Sequence, residues 1–314
     1  MRFHFKPELY QKRFPQQNYF EGWYYKLVSS NQRYVISFIP GVSFSKNKKH
    51  CFIQCIFLDH KDLSTYNVNY NIEDFKSSNT PFGVKISESS FSLSTINVNI
   101  NEDNLCIKGE VHIDKILQIK KSLLTPNIMG FFSYLPFMEC NHGVISMRHD
   151  LKGTIVINEK EVCFDHGIGY IEKDFGVSFP SQYVWIQSNH FSQDVNLFFS
   201  LAKIPYLGLN FDGFICNLIY QGNEYRFATY NLSNIVIDFV SHDKIKVTMK
   251  RKKLRLVIEA EILDSKPLLA PSDGEMVDII KEALAGKVKL SLYRRDELVL
   301  SDQSECCGIE IVNY

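Results

Sequence analysis

Apolar and polar residues alternate with a period of two along most of the chain, which is the pattern of β-strands with one buried face. The alternation is clear at Tyr19 to Ser29, Arg33 to Phe38 and Cys51 to Leu58, and again at Tyr183 to Phe191 and Leu254 to Ile262. Clusters of Asn, Ser, Gly and Lys separate these segments. Many short strands at this spacing predict a mainly β protein built from sandwiches or barrels.

Helical periodicity is confined to two places. One segment combines the spacing of a capping box with apolar residues that recur every four positions and a glycine that can end a helix, so it predicts a short helix. Ile113 to Leu124 is a second candidate, for a helix or a crossover. The residues that predict the first helix are Ser272, Glu275, Met276, Ile280, Leu284 and Gly286.

Two similar aromatic hairpins indicate that the chain has two related halves. One begins at Trp23 and leads to Ile39-Pro40, and the other begins at Trp185 and leads to Ile204-Pro205. A chain of 314 residues is long enough for two domains with separate cores. The expected division is an N-terminal β domain at residues 1–168 and a C-terminal β domain at residues 169–314.

Composition excludes several classes of partner. The formal net charge is zero, and the one dense basic run, Lys250 to Lys253, lies between two predicted strands, so a hairpin turn is expected there and no nucleic-acid site. No apolar stretch has the length of a membrane span or a signal peptide, so stable membrane insertion is not expected, although peripheral contact stays open. The eight cysteines include no C-x-x-C pair, which predicts free thiols and a cytoplasmic protein.

The stretch from Gly167 to Asn189 is the first candidate for a functional site. Trp185, Gln187 and Asn189 alternate with Val184 and Ile186, so an indole and two carboxamides share one face of a strand. Such a face suits a binding cavity better than bulk water, although a surface strand with one chance tryptophan would look the same. Gly167-Ile168-Gly169 lacks the third glycine and the βαβ context of a dinucleotide site.

Four stretches together resemble the tocopherol cyclase family, and they are spread along most of the chain. They are YFEGWYYK (19–26), PNIMGFFSYLPFMECNHGVISM (126–147), GYIEKDFGVSFPSQYVWIQSNHF (169–191) and LAPSDGEM (269–276). The resemblance implies two lipocalin-like β-barrel or sandwich domains with a hydrophobic ligand cavity and one or two short helices. It also implies a cofactor-independent intramolecular lyase that closes the chromanol ring of a prenylated hydroquinone. Phe175 stands where this family is expected to have tryptophan, which puts the substrate more in doubt than the fold.

The implied reaction needs an acid that protonates an alkene and electron-rich walls that stabilise the cation. Glu139 is the first candidate acid because it lies between apolar residues, Glu172 and Asp174 are the next, and His142 could pair with Glu139. Cys140 and His142 resemble half of a metal site, but no second half follows, so neither a metal nor another cofactor is expected.

The remaining candidates would bind the substrate, expected to be a prenylated quinol or a similar hydrophobic molecule. They form aromatic walls, hold the head group or fix these groups by ion pairs. Glu21 could instead be a buried carboxylate paired with Lys173 or Lys26. A non-catalytic carrier of a lipidic molecule is the alternative function for the same cavity. The substrate-binding candidates are Glu21, Trp23, Tyr25, Lys173, Phe175, Trp185, Gln187 and Asn189.

Overall fold

A computed structural model describes residues 2–11, 18–46, 48–102, 105–136, 138–206 and 208–314. Almost all regular structure in these ranges is antiparallel β-sheet, so the prediction of a mainly β protein is confirmed. The exceptions are a four-residue α-helix, α1 (Arg2–Phe5), and three short 3₁₀ helices at Ile72–Asp74, Gly130–Tyr134 and Thr229–Asn231. No helix in the described ranges is long and apolar enough to cross a membrane.

The first sheet contains twelve strands in the order β4-β3-β2-β1-β12-β10-β9-β8-β7-β6-β5, and β11 pairs with β10. Its apolar faces enclose one continuous core, in which Trp23, Phe38 and Ile171 are fully buried. The strands are β1 (Tyr19–Val28), β2 (Tyr34–Phe44), β3 (Lys49–Asp59), β4 (Asp62–Asn71), β5 (Phe75–Asn79), β6 (Phe82–Ile86), β7 (Ser89–Ser92), β8 (Thr95–Glu102), β9 (Leu105–Leu117), β10 (Cys140–Ile157), β11 (Lys160–Cys163) and β12 (Gly167–Gly176).

The second sheet contains ten strands in the order β16-β15-β14-β13-β22-β21-β19-β18-β17, and β20 pairs with β21. It has a core of its own, which includes Val184, Ile186 and Phe199. The strands are β13 (Tyr183–Ser188), β14 (Val195–Tyr206), β15 (Leu209–Tyr220), β16 (Asn223–Ala228), β17 (Asn234–Val240), β18 (Lys244–Arg251), β19 (Leu254–Glu261), β20 (Lys266–Ser272), β21 (Glu275–Arg294) and β22 (Glu297–Val312).

The chain forms two compact units, and each is assembled from separate segments. Unit 1 consists of Met1–Gln118, Cys140–Phe179 and Leu269–Asp278, and unit 2 consists of Ile119–Glu139, Pro180–Leu268 and Ile279–Tyr314. A single boundary at residue 168 would instead cut β12 from the two strands with which it pairs, β1 and β10.

The helix predicted from Ser272 is wrong, and at Ile113 to Leu124 the chain has the alternative of a crossover, from unit 1 to unit 2, and no helix. Ser272 and Glu275 do not form a capping box; they flank the two-residue turn Asp273-Gly274 between β20 and β21. Both turn residues have positive φ, 49° and 83°, which is the conformation that an Asp-Gly hairpin turn requires. The other candidate, Ile113 to Leu124, continues β9 as far as Leu117 and then becomes irregular.

The glycines at the start of β12 have a packing role. A Cβ atom at Gly167 would lie 2.5 Å from the backbone oxygen of Val28, and one at Gly169 would overlap the Nε2 atom of His149. Because β12 lies directly against these neighbours, the Gly-Ile-Gly sequence allows close packing within the sheet.

Candidate functional site

β12 has two chemically different faces because successive side chains of a strand point to opposite sides of the sheet. The side chain of a β1 or β10 residue that lies directly opposite a residue of β12 projects from the same face of the sheet as that residue. Lys173 lies opposite Trp23, and Asp174 lies opposite His142. On β12, one face carries Tyr170, Glu172 and Asp174, and the other carries Ile171, Lys173 and Phe175.

The first face holds a network of four polar side chains, which we call the His142 network: His142, Tyr170, Glu172 and Asp174. His142 Nδ1 lies 2.6 Å from Asp174 Oδ1, and its Nε2 lies 3.3 Å from Glu172 Oε2. The hydroxyl of Tyr170 donates a hydrogen bond of 2.5 Å to the same Glu172 oxygen. The exposed fraction of the side chain is 6% for Glu172, 16% for His142 and 20% for Asp174. His142 thus pairs with the carboxylates of Glu172 and Asp174, whereas the sequence suggested a pair with Glu139.

Two opposing effects set the charge of this network. Burial alone would lower the pKa of His142, but the charges of Asp174 and Glu172 and the hydrogen bonds to them outweigh it and raise the pKa to about 10. Burial raises the pKa of Tyr170, and the charge of Glu172 raises it further, so the phenol keeps its proton and donates a hydrogen bond to Glu172. At neutral pH, His142 is therefore an imidazolium between two acidic groups.

The raised pKa of His142 predicts a loss of stability at alkaline pH. An unfolded histidine titrates near pH ~6.5, so the stability gained from binding this proton is complete below that pH and is lost as pH rises toward 10. We expect the difference in unfolding free energy between wild type and His142→Gln, measured by urea denaturation, to be larger at pH 6 than at pH 10. The control is His242→Gln, at a side chain that is 90% exposed. A difference that does not change with pH would contradict this explanation.

The same groups could be considered as a cation site, because His142, Glu172 and Asp174 each place one ligand atom within 4.8 Å of the others. However, both ring nitrogens of His142 face carboxylate oxygens directly. A histidine must lose its proton to bind a metal, and the high pKa of His142 opposes that loss.

The sequence reasoning did not place Tyr24 or Lys26 on this face. Tyr24 lies opposite Glu172, and its hydroxyl oxygen accepts a 2.9 Å hydrogen bond from Ser37. Lys26 lies opposite Tyr170 and is 1% exposed. The available signal was the alternation within YFEGWYYK, which places Tyr24 and Lys26 on the same side of a strand.

Five predicted substrate-binding residues lie on the opposite face and so cannot share one surface with the His142 network. Lys173 forms an ion pair with Glu21, and the side chains of both residues are fully buried. The Lys173 Nζ atom also lies 4.8 Å from the ring centre of Trp23 and 5.0 Å from that of Phe175. Trp23 and Tyr25 belong to the core of unit 1. The alternative interpretation of Glu21, as a buried carboxylate paired with Lys173, is therefore confirmed.

The other predicted residues lie in unit 2. Val184 and Ile186 belong to its core, whereas Trp185 and Gln187 are buried on the opposite face of β13 and Asn189 follows the end of the strand. The predicted alternation of this segment is therefore present. Glu139 is partly buried, and burial raises the pKa of its carboxyl group.

Two buried asparagines of unit 2 were not predicted. Asn196 on β14 and Asn217 on β15 are 1% and 0% exposed, and their side chains have no hydrogen-bond partner among the described residues. The pairing of β13, β14 and β15 places them on the same sheet face as Gln187. A single asparagine in an otherwise apolar strand, as in VNLFFSL and FICNLIY, is the signal that could have identified them.

Comparison with known proteins relates this fold to several solved structures. Matches include a crystal structure of CghA with Sch210972 (8% identity, 94% of this chain and 89% of that chain covered, TM-score 0.60). Kievitone hydratase from Nectria haematococca matches at 10% identity, 94% and 89% coverage and a TM-score of 0.54. A putative AttH from Nitrosomonas europaea matches at 10% identity, 95% coverage of both chains and a TM-score of 0.54. At such low identity these similarities establish the fold alone.

The sequence itself gives a more specific assignment. No curated protein matches the chain. The family model described as tocopherol cyclase-like, in contrast, matches residues 118–312, which is more than half of the sequence. The chain therefore belongs to the tocopherol cyclase-like family.

Proposed function

We propose that the protein catalyses an acid-dependent cyclisation of a hydrophobic, prenylated hydroquinone-type molecule. The observation that carries the proposal is the His142 network, in which an imidazolium is fixed 2.6 Å from a carboxylate in a largely buried position. Membership of the tocopherol cyclase-like family supports the reaction class. The name of one structural neighbour, kievitone hydratase, also describes an enzyme that adds water to its substrate.

Asp174 is the best placed proton donor in this network. It is the more exposed of the two carboxyl groups, and its Oδ1 atom lies 2.6 Å from His142 Nδ1, so it connects the buried imidazolium to the more open side of the network. Tyr170 donates its hydrogen bond to Glu172, the more buried carboxyl group, so Asp174 is the carboxyl group that a substrate could reach more easily.

The chemistry follows from this arrangement. A carboxylic acid beside a fixed imidazolium donates its proton readily because the carboxylate that remains is stabilised by the positive charge. Protonation of a trisubstituted alkene gives a tertiary cation, the phenolic oxygen adds to it, and the phenolic proton is released. Atoms and charges balance without a further reactant. Tyr24 and Tyr170, on the same sheet face, supply electron-rich rings of the kind that stabilise cations.

The alternative function, a non-catalytic carrier, also has an observation in its favour. Asn196 and Asn217 are buried carboxamides without partners among the described residues, and they could bind the polar atoms of a ligand. In addition, Glu21, Glu172 and Asp174 are all held in ion pairs. A carrier needs such amide groups and needs no proton donor.

One experiment separates the two functions. Purified protein is incubated with a geranylgeranylated hydroquinone, and the extracted lipid is analysed by chromatography and mass spectrometry. If the protein is an enzyme, the extract contains the chromanol, which has the same mass as the hydroquinone but a different retention time. Quantitative recovery of the unaltered hydroquinone bound to the protein would instead support the carrier, and absence of both binding and conversion would remove this substrate class from the proposal.

A further inference from the structure

Unit 2 has a basic surface that the proposed reaction does not use. A groove of about 490 Å³ is lined by Lys120, Lys121, Arg226 and Arg251, with Glu224 as the single carboxylate among its described lining residues. This concentration of positive charge is notable because the formal net charge of the whole chain is zero. Glu224 is already paired with Arg226, so it does not offset the remaining cations.

The positive charge continues beyond the groove. Arg251 also lines an adjoining depression with Lys252, Lys253 and Arg294. Lys252 and Lys253 form the turn between β18 and β19, as the sequence predicted for this basic run. A hairpin turn and a groove together thus present one continuous basic surface.

Exposed apolar side chains lie beside these cations. Leu123 and Leu124 are 74% and 75% exposed, and Phe131, in contact with Tyr230 of the groove, is 43% exposed. Leu232 follows Asn231 of the groove and is 90% exposed. Large apolar residues that gather at one place on a surface indicate an interaction site more strongly than the same residues would if they were scattered.

The two leucines are fixed in their exposed position. Ser122 and Thr125 close a tight turn by mutual backbone hydrogen bonds of 3.0 and 3.1 Å and by a 2.8 Å contact between their hydroxyl groups. Leu123 and Leu124 occupy the two central positions of this turn. The hydroxyl of Tyr134 donates a 2.8 Å hydrogen bond to the backbone oxygen of Leu123. The turn therefore holds both leucines outward, and Leu123 follows the lysine pair 120–121 with one residue between them.

We propose that this surface binds an anionic phospholipid bilayer, with Leu123 and Leu124 in the interface and the basic groove at the phosphate headgroups. Leucines at the tip of a loop gain free energy when they enter the apolar region, and cations next to them attract anionic headgroups. A second copy of the chain fits less well because two basic surfaces repel each other. The proposal uses no residue of the His142 network, so it stands or falls independently of the reaction.

Vesicle co-sedimentation of the full chain tests the proposal. The probes are phosphatidylcholine vesicles with and without about one third phosphatidylserine. We expect binding to the anionic vesicles only, reduced at least tenfold by Leu123→Ser with Leu124→Ser. Lys120→Gln with Lys121→Gln should reduce it by about fivefold for each charge at low salt. Leu263→Ser with Ile279→Ser removes two apolar side chains, 57% and 71% exposed, that line neither the groove nor the adjoining depression, and should leave binding unchanged.

Each other outcome overturns the proposal. Equal binding to neutral and anionic vesicles would exclude recognition of charge, and wild-type binding by either double variant would exclude this surface. Stabilisation by inorganic phosphate without vesicle binding would indicate a site for a soluble anion. A dimer that the leucine variant dissociates, without vesicle binding, would indicate an interface between copies of the chain.

Discussion

Replacement of Asp174 by asparagine is expected to lower the rate of cyclisation by at least about 100-fold, because general acid catalysis typically contributes a factor of 10² to 10⁴. The amide keeps the shape of the side chain and can still bond to His142, but it cannot donate a proton to an alkene. Binding of the substrate, measured by fluorescence quenching or calorimetry, should change little. Rates are measured with the prenylated hydroquinone under saturating conditions so that kcat is obtained separately from KM.

Glu139→Gln is the matched control for this variant. Both changes convert a partly buried carboxyl group into an amide, and burial raises the pKa of Glu139. We expect Glu139→Gln to change kcat less than tenfold. Should Asp174→Asn retain the activity of wild type while Glu139→Gln loses it, the acid would be Glu139, as the sequence alone suggested.

The second large effect is expected at Lys173. Lys173→Met should lower the free energy of unfolding by about 3–5 kcal/mol because it leaves the carboxylate of Glu21 buried without its cation. Both side chains are fully buried, and Glu21 also accepts hydrogen bonds from the backbone of Gln11 and the hydroxyl of Tyr19. Urea denaturation followed by circular dichroism gives the required free energies.

A double substitution separates the ion pair from packing. Glu21→Gln combined with Lys173→Met removes the uncompensated charge, so it should be less destabilising than Lys173→Met alone. If the double variant is as unstable as the sum of the two single variants, the charges do not interact, and the loss must come from packing against Trp23 and Phe175.

The sequence predicted the β-rich fold because alternation is a local property that survives in the folded chain. The helix expected from Ser272 failed for an identifiable reason. Met276, Ile280 and Leu284 are four residues apart, a spacing that suits one helical face but also one face of a strand, because four is a multiple of two. The Asp273-Gly274 pair, a strong hairpin signal, should have decided between them.

The candidate site was predicted in part. Sequence reasoning identified His142, Glu172 and Asp174, yet grouped them with Trp23 and Lys173 because all lie in matching family motifs. Their assignment to opposite faces depends on whether a position is odd or even within β1 and β12, together with the pairing of these strands. The contact between His142 and Asp174 joins residues 32 positions apart and could not be read from local pattern.

The most direct test of the central claim, a single proton transfer to the substrate, is the reaction in D₂O. If the network protonates an alkene, the chromanol formed from the prenylated hydroquinone carries one deuterium on carbon, and Asp174→Asn gives almost none of this product. Conversion without deuterium on carbon, or no conversion by wild type under conditions in which the hydroquinone binds, would contradict the account.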